Sequence, residues 1–225
     1  MNKADIENLL SSKIKKSQLY LDSLTHRSAS NKNNERLEFF GDAILGLAIA
    51  EYLYNKFPDD DEGELSRKRS YLVRKETLSK IASQYNIGSK LILGKGEKKS
   101  GGHNRDSIIS DALEALIGVV YLIEGLEKAK KFIYEILSEQ INSLPENDDL
   151  KDPKTKLQEL LQFHSLSLPV YETTEINIKN KISFKTICTI KEYNTIEEGN
   201  GGNKRKSQQD AAMKSLEKIN TILKK

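Results

Sequence analysis

Residues Asn34–Leu45 read NERLEFFGDAIL. Wound as an α-helix at about 100° per residue, Glu35, Glu38 and Asp42 fall in a stripe roughly 60° wide. Carried on to Tyr54, the same wheel sets Leu37, Phe39, Phe40, Ala43, Ile44, Leu45, Leu47, Ala48, Ile49, Ala50 and Leu53 over nearly all the rest. A helix apolar almost all round is a buried helix. Carboxylates on such a helix are unfavourable unless paired or bound to metal. The stretch therefore predicts an acidic site inside a folded domain. Gly46, one turn beyond Asp42, is expected to leave open space beside the acids.

A second stretch repeats the pattern. Ser107–Ile123 reads SIISDALEALIGVVYLI, and its only charges are Asp111 and Glu114. At i and i+3 these share one helix face, and Gly118 follows one turn later on that face. The pair of patterns predicts two helices facing each other across one site. Oxygen-ligand side chains with no Cys/His cluster favour a hard cation, Mg²⁺ or Mn²⁺, over zinc. The competing reading is structural, with the acids exposed or paired to Arg36 or Arg105. Two such stripes leave little solvent face to host them, which weighs against it.

The rest of the chain sets bounds. At 225 residues with 37% hydrophobic and 31% charged residues, it fits one large or two modest globular domains. Nothing approaches the run of about 20 apolar residues that spans a bilayer. The N-terminus, MNKADIENLLSSKIKK, has early acids and no small-residue cleavage site, unlike a signal peptide. The single cysteine, Cys188, excludes an internal disulfide and sits in an alternating apolar run as a small hydrophobe. These features together predict a cytoplasmic protein. The net charge of +3 is uneven: residues 151–225 carry 14 Lys/Arg against 9 Asp/Glu, and residues 1–150 carry 22 against 24. That division suits a polyanion held by one module and worked on by another.

Helical patterns recur in Ile6–Leu10, Asn34–Phe57, Leu65–Tyr85, Ser107–Leu122 and Leu126–Ile141. Between Leu93 and Asp106 lies a basic, Gly-rich stretch, GKGEKKSGGHNRD, which does not fit a P-loop and reads as a loop near the site. Leu144–Lys151, LPENDDLK, breaks the periodicity and reads as a linker. Domains are thus expected at 1–143 and 152–225, joined by 144–151. Asp152-Pro153 opens a helix with an N-cap acid and Pro at the first position. Strand-like runs follow at Val170–Ile178, Ile182–Ile190 and about Tyr193–Glu197, then a helix from Lys204 to Leu223. The second module has the order α-β-β-β-α.

That last helix opens with Asn203-Lys204-Arg205-Lys206 after three glycines between Gly199 and Gly202. Basic residues in a first turn oppose the helix dipole by about 0.3–1 kcal/mol each. Cations beside free backbone N–H groups there describe a phosphate site.

With these stretches in place, the chain resembles bacterial ribonuclease III. The resemblance is carried by LTHRS (Leu24–Ser28), NERLEFFGDAIL (Asn34–Leu45), DEGELSRKRSYLVRKETL (Asp61–Leu78), KSGGHNRDSIISDALEALIG (Lys99–Gly118) and DPKTKLQELLQ (Asp152–Gln162). It covers essentially the whole chain. It implies an all-α endonuclease domain followed by a small α+β double-stranded RNA-binding domain, which reads A-form shape across minor grooves. It also implies Mg²⁺ (with Mn²⁺ as substitute) at Glu38, Asp111 and Glu114, catalytic roles for Asp42 and Glu114, and supporting roles for Glu35 and Glu62. The family is a homodimer through the signature helix, which places Phe39 at the dimer contact. In the second module, Thr155 and Gln158 match first-helix RNA contacts, and Lys204 and Arg205 match the basic end that meets phosphates.

The implied activity is cleavage of double-stranded RNA to 5′-phosphate and 3′-hydroxyl ends with short 3′ overhangs. The family's usual substrates are ribosomal RNA precursors and structured messenger or small RNAs. Two positions depart from the pattern. Phe40 stands where the family usually has Leu, which predicts repacking. Asn180 stands where a groove-reaching His is common, and it can still hydrogen-bond a 2′-OH. The alternative is a double-stranded RNA-binding regulator without catalysis, against which the intact acid set argues. A nucleotide phosphohydrolase would have no use for the second module, and a helical scaffold would leave the acids unexplained.

Overall fold

The computed structural model describes residues 5–178 and 181–223. The chain divides into two compact units, Met1–Pro145 and Glu146–Lys225. The first is helical: α1 (Ser12–Lys15), α2 (Gln18–Leu24), α3 (Glu35–Lys56), α4 (Glu62–Val73), α5 (Lys75–Gln84), α6 (Lys95–Lys99), α7 (Asp106–Glu124), α8 (Leu126–Ile136) and α9 (Ser138–Asn142). α7 is its central element: from Ile108 to Val120 every residue but Asp111 is buried. α2, α3, α5 and α8 pack around it. The apolar run of α7 is therefore a core signal, as its all-round composition predicts.

The expected Leu65–Tyr85 helix is two helices. α4 starts with a capping box, in which Asp61 accepts from the Glu64 N–H at 2.7 Å and Glu64 accepts from the Asp61 N–H at 3.0 Å. It ends at Arg74, whose ψ of 152° is extended. The Thr77 hydroxyl donates to the Tyr71 carbonyl at 2.7 Å and satisfies one of the acceptors left at the helix end. Lys75 becomes the first residue of α5. The run Leu126–Ile141 likewise divides at Leu137. The Gly-rich connection is not an open loop. It holds α6 and a 3₁₀ turn at Gly102–Asn104, and Arg105 pairs with Glu97 at 2.8 Å across it.

The second unit comprises α10 (Asn147–Leu150), α11 (Pro153–Phe163), β1 (Val170–Ile178), β2 (Lys181–Ile190), β3 (Thr195–Gly201) and α12 (Lys204–Leu223). α10 is a helical turn inside the segment read as a linker. Asp152 caps α11, accepting from the N–H groups of Lys154 and Thr155 at 3.0 and 3.3 Å. Among the described residues the strands form one antiparallel sheet in the order β1-β2-β3. Leu157, Leu161, Cys188, Ile190, Ala211, Ala212 and Ile219 form the core between sheet and helices. β3 runs past the expected Glu197, so Gly199 and Gly201 are strand residues beneath α12. A Cβ on Gly199 would lie 2.2 Å from Ala211 N and 2.3 Å from Ser207 O, so only Gly lets the helix lie this close to the strand.

Candidate functional site

α3 and α7 touch backbone to backbone. A Cβ on Gly41 would lie 1.8 Å from the Glu114 carbonyl oxygen, and one on Gly118 would lie 2.7 Å from that of Leu37. Gly41, on the apolar side of α3, makes the close approach together with Gly118; Gly46 has nothing within 4 Å of its Cβ direction. Gly118 sits at the contact and Gly46 faces open space, as expected, while the partner of Gly118 in the close approach is Gly41.

The crossing brings carboxylates from both helices together. Glu38, Asp111 and Glu114 each offer an oxygen, and these atoms lie within 4.8 Å of one another. Burial is graded across the acids: Glu114 is buried, Glu38 and Asp111 are half-buried, and Asp42 and Glu35 are exposed. The site is thus at the rim of the core, with only Glu114 inside it. Burial pushes the Glu114 carboxyl up to about 8, helped by the charge of Asp42, then those of Asp111 and Glu38. Burial and then the Asp111 charge also raise Glu38. Asp42 therefore belongs to the electrostatic cluster although it lies outside the set that converges on one point.

The supporting acids stand apart. Glu35 pairs with Arg27 at 3.3 Å, so the structural reading holds for this acid, though with neither arginine considered from sequence. Glu62 opens α4 and accepts from the Ser66 hydroxyl at 2.9 Å. Lys75, not anticipated, has its Nζ 3.2 Å from Asp111 Oδ1. Burial disfavours its charge. The hydrogen bond to Asp111 and the charges of Asp111, Glu38 and Glu114 more than offset that and raise its pKa. Three oxygen donors on two helices, two of them (Glu38 and Glu114) with the carboxyl pKa raised by burial and by neighbouring acid charges, fit a hard divalent cation, which would relieve that repulsion.

In the second unit, Lys204, Arg205 and Lys206 are exposed at the start of α12 and make no ion pair among the described residues. Asn203 Oδ1 accepts from the Lys206 N–H at 2.9 Å, so one of the first-turn amides is already occupied by the cap. On α11, Thr155 is half-buried with its hydroxyl donating to Asp152 at 3.0 Å, and Gln158 is exposed. Lys154 reaches from α11 to Gln208 Oε1 on α12 at 2.8 Å, over the Tyr171 ring, and ties the two helix starts together. Asn180 lies outside the described residues.

The chain matches the family model "Ribonuclease-III-like" over residues 16–141 and the double-stranded RNA binding motif over residues 153–219. The chain belongs to the ribonuclease III family. It is 46% identical over 194 residues to ribonuclease 3 of Glaesserella parasuis, covering 86% of this chain and 87% of that protein. It is 47% identical over 197 residues to that of Histophilus somni, covering 87% and 88%. Among solved structures, the nuclease domain of ribonuclease III from Campylobacter jejuni matches with a TM-score of 0.58 and 40% identity, over 61% of this chain and 96% of that one. That structure addresses flexibility in the region of the domain involved in dimer formation. The chain is accordingly a double-stranded RNA endoribonuclease of a metal-dependent family, a helical nuclease domain followed by an RNA-binding domain of three antiparallel strands flanked by helices. No described helix is long and apolar enough to cross a membrane.

Proposed function

We propose that the chain is a Mg²⁺-dependent endoribonuclease whose nuclease site is Glu38, Asp42, Asp111 and Glu114. The observation that carries the reading is the convergence of Glu38, Asp111 and Glu114 at the α3–α7 crossing, with Glu114 buried there. These three would hold the ion, with Mn²⁺ as a substitute. Bound Mg²⁺ supplies a Lewis acid for the phosphodiester and a nucleophilic water at neutral pH. Glu114, fixed where the backbones meet, keeps the donor set from spreading. Asp42, exposed beside it, orients water arriving from solvent and helps take up its proton. Glu35 and Glu62 are assigned outer, RNA-facing roles. Hydrolysis leaves 5′-phosphate and 3′-hydroxyl ends with short 3′ overhangs on ribosomal RNA precursors and structured messenger or small RNAs.

The second unit would grip the duplex through Thr155, Gln158, Lys204 and Arg205, with Asn180 as a minor-groove contact. The boundaries adopted are 1–143 for catalysis, 144–151 for the connection and 152–225 for RNA binding. A homodimer is inferred from α3, whose Phe39 is 80% exposed and shares one apolar side with exposed Ala43, Leu47 and Tyr54. A face of that kind favours burial against a second copy. Phe39→Asp should therefore shift the protein to monomer in sedimentation at micromolar concentration, and a wild type that is already monomeric there contradicts the inference. A single buried cysteine accords with the reducing cytoplasm.

The test is a plain RNA duplex incubated with the protein in Mg²⁺ and in a chelator, with single-stranded RNA as control. The expected result is duplex cleavage in Mg²⁺ only, with 5′-phosphate ends. A duplex bound but uncut in both Mg²⁺ and Mn²⁺ would instead identify a non-catalytic regulator.

A further inference from the structure

Lys75 stands outside the family's acid set yet touches it. It opens α5, where a cation works against the helix dipole, so folding of its own helix does not explain it. Its explanation lies across the domain, in the 3.2 Å pair with Asp111 on α7. The Lys75 side chain is 62% exposed, so its flexible stem can leave Asp111 and re-enter solvent without disturbing the core. Asp111 Oδ1 is thereby shared between the ammonium and the Ser110 hydroxyl, which donates at 3.4 Å.

We propose that Lys75 is a built-in competitor for the metal site: its ammonium holds the Asp111 carboxylate that a divalent cation requires, and so sets how tightly that cation binds. The proposal rests on the metal-site reading above. A carboxylate oxygen ligates Mg²⁺ at about 2.1 Å. A dication seated on Asp111 would stand beside the ammonium, and like charges at such range repel. The ammonium must therefore yield, and metal affinity is lower by the strength of the pair it gives up. A positioning role predicts the reverse sign. If Lys75 served to aim Asp111 at the ion, removing it would weaken binding.

The experiment is calorimetric titration of Mn²⁺ into the full-length protein without RNA, for wild type, Lys75→Met, Lys75→Gln and Lys75→Arg. The metal-induced rise in melting temperature of each provides a second readout. Met and Gln should bind about two- to fivefold tighter than wild type, the range expected from loss of a partly exposed pair, and should gain more thermal stability from Mn²⁺. Arg, which keeps the cation, should stay near wild type. Two neutral variants are used so that the answer does not hang on the folding of one. Unchanged or weaker binding in both neutral variants, with wild type binding normally, overturns this proposal alone. A wild type that binds no Mn²⁺ overturns it together with the metal-site reading.

Discussion

The acid cluster at the α3–α7 crossing and the basic start of α12 are both charges placed against local preference, but they differ in what holds them there. The acids are fixed by tertiary packing: Gly41 and Gly118 let two backbones meet, and Glu114 is carried into the core. The bases are fixed by one helix end and face solvent. The first arrangement is rigid and electrostatically strained, as suits chemistry at a defined phosphate. The second is open and adaptable, as suits holding a backbone of any sequence. Perturbing the first should therefore disturb folding, metal and catalysis together, while perturbing the second should disturb affinity alone.

The harshest way to break that contrast is Gly41→Ala. Its Cβ would fall 1.8 Å from a backbone oxygen, which no side-chain rotation relieves. Overpacking of this severity should lower stability by about 3 kcal/mol or more, read as a fall in denaturation midpoint, with loss of metal binding alongside it. A midpoint within error of wild type would mean that α3 and α7 are not in backbone contact.

A gentler probe is pH. Burial, helped by the charges of Asp42, Asp111 and Glu38, pushes the Glu114 carboxyl up to about 8 from the ordinary 4.5 of a glutamate, so the folded state holds its proton more tightly than the unfolded chain. Stability without metal should then fall as pH rises from about 4.5 to about 8, since there the unfolded chain binds fewer protons. Divalent metal should flatten that slope, and Glu114→Gln should reduce it. Denaturation curves across this window check both. A metal-free slope identical in Glu114→Gln removes this acid as its source.

The smallest effect is expected at α12. Replacing Lys204 and Arg205 with Ala should leave stability unchanged or raise it slightly, because two cations leave a helix N-terminus. Duplex affinity should weaken evenly across sequences, and the dependence of log K on log salt should lose at most about two units of slope. An unchanged slope would place both side chains away from phosphate.

Much of this was legible from residue pattern, and the failures share a cause. The two acid-bearing helices, the second module and the basic helix start all follow from periodicity and local charge. The wheel did not reveal that Glu35 and Asp42 are exposed, because exposure depends on where α3 leaves the core. Nor did it single out Gly41: the acid stripe drew attention to Gly46, which does face open space, whereas the two backbones meet at Gly41 and Gly118. The break at Arg74 depends on a hydroxyl, that of Thr77, reaching back to Tyr71. Lys75 is different, since its signal was present. Like Lys204 and Arg205, Lys75 is a cation at a helix start, visible as such once α5 is seen to begin there.

The measurement that tests the division of labour most directly is paired duplex binding and single-turnover cleavage by Glu114→Gln in Mg²⁺. The substitution keeps shape and removes the buried charge. Affinity should stay within a few-fold of wild type, because phosphate contacts come mainly from the second unit, while cleavage should fall by about 10²–10³ or more, the scale of losing one group that stabilises transition-state charge. Near-normal cleavage would contradict the assignment of Glu114 to the metal site, and joint loss of binding and cleavage would show its role to be structural.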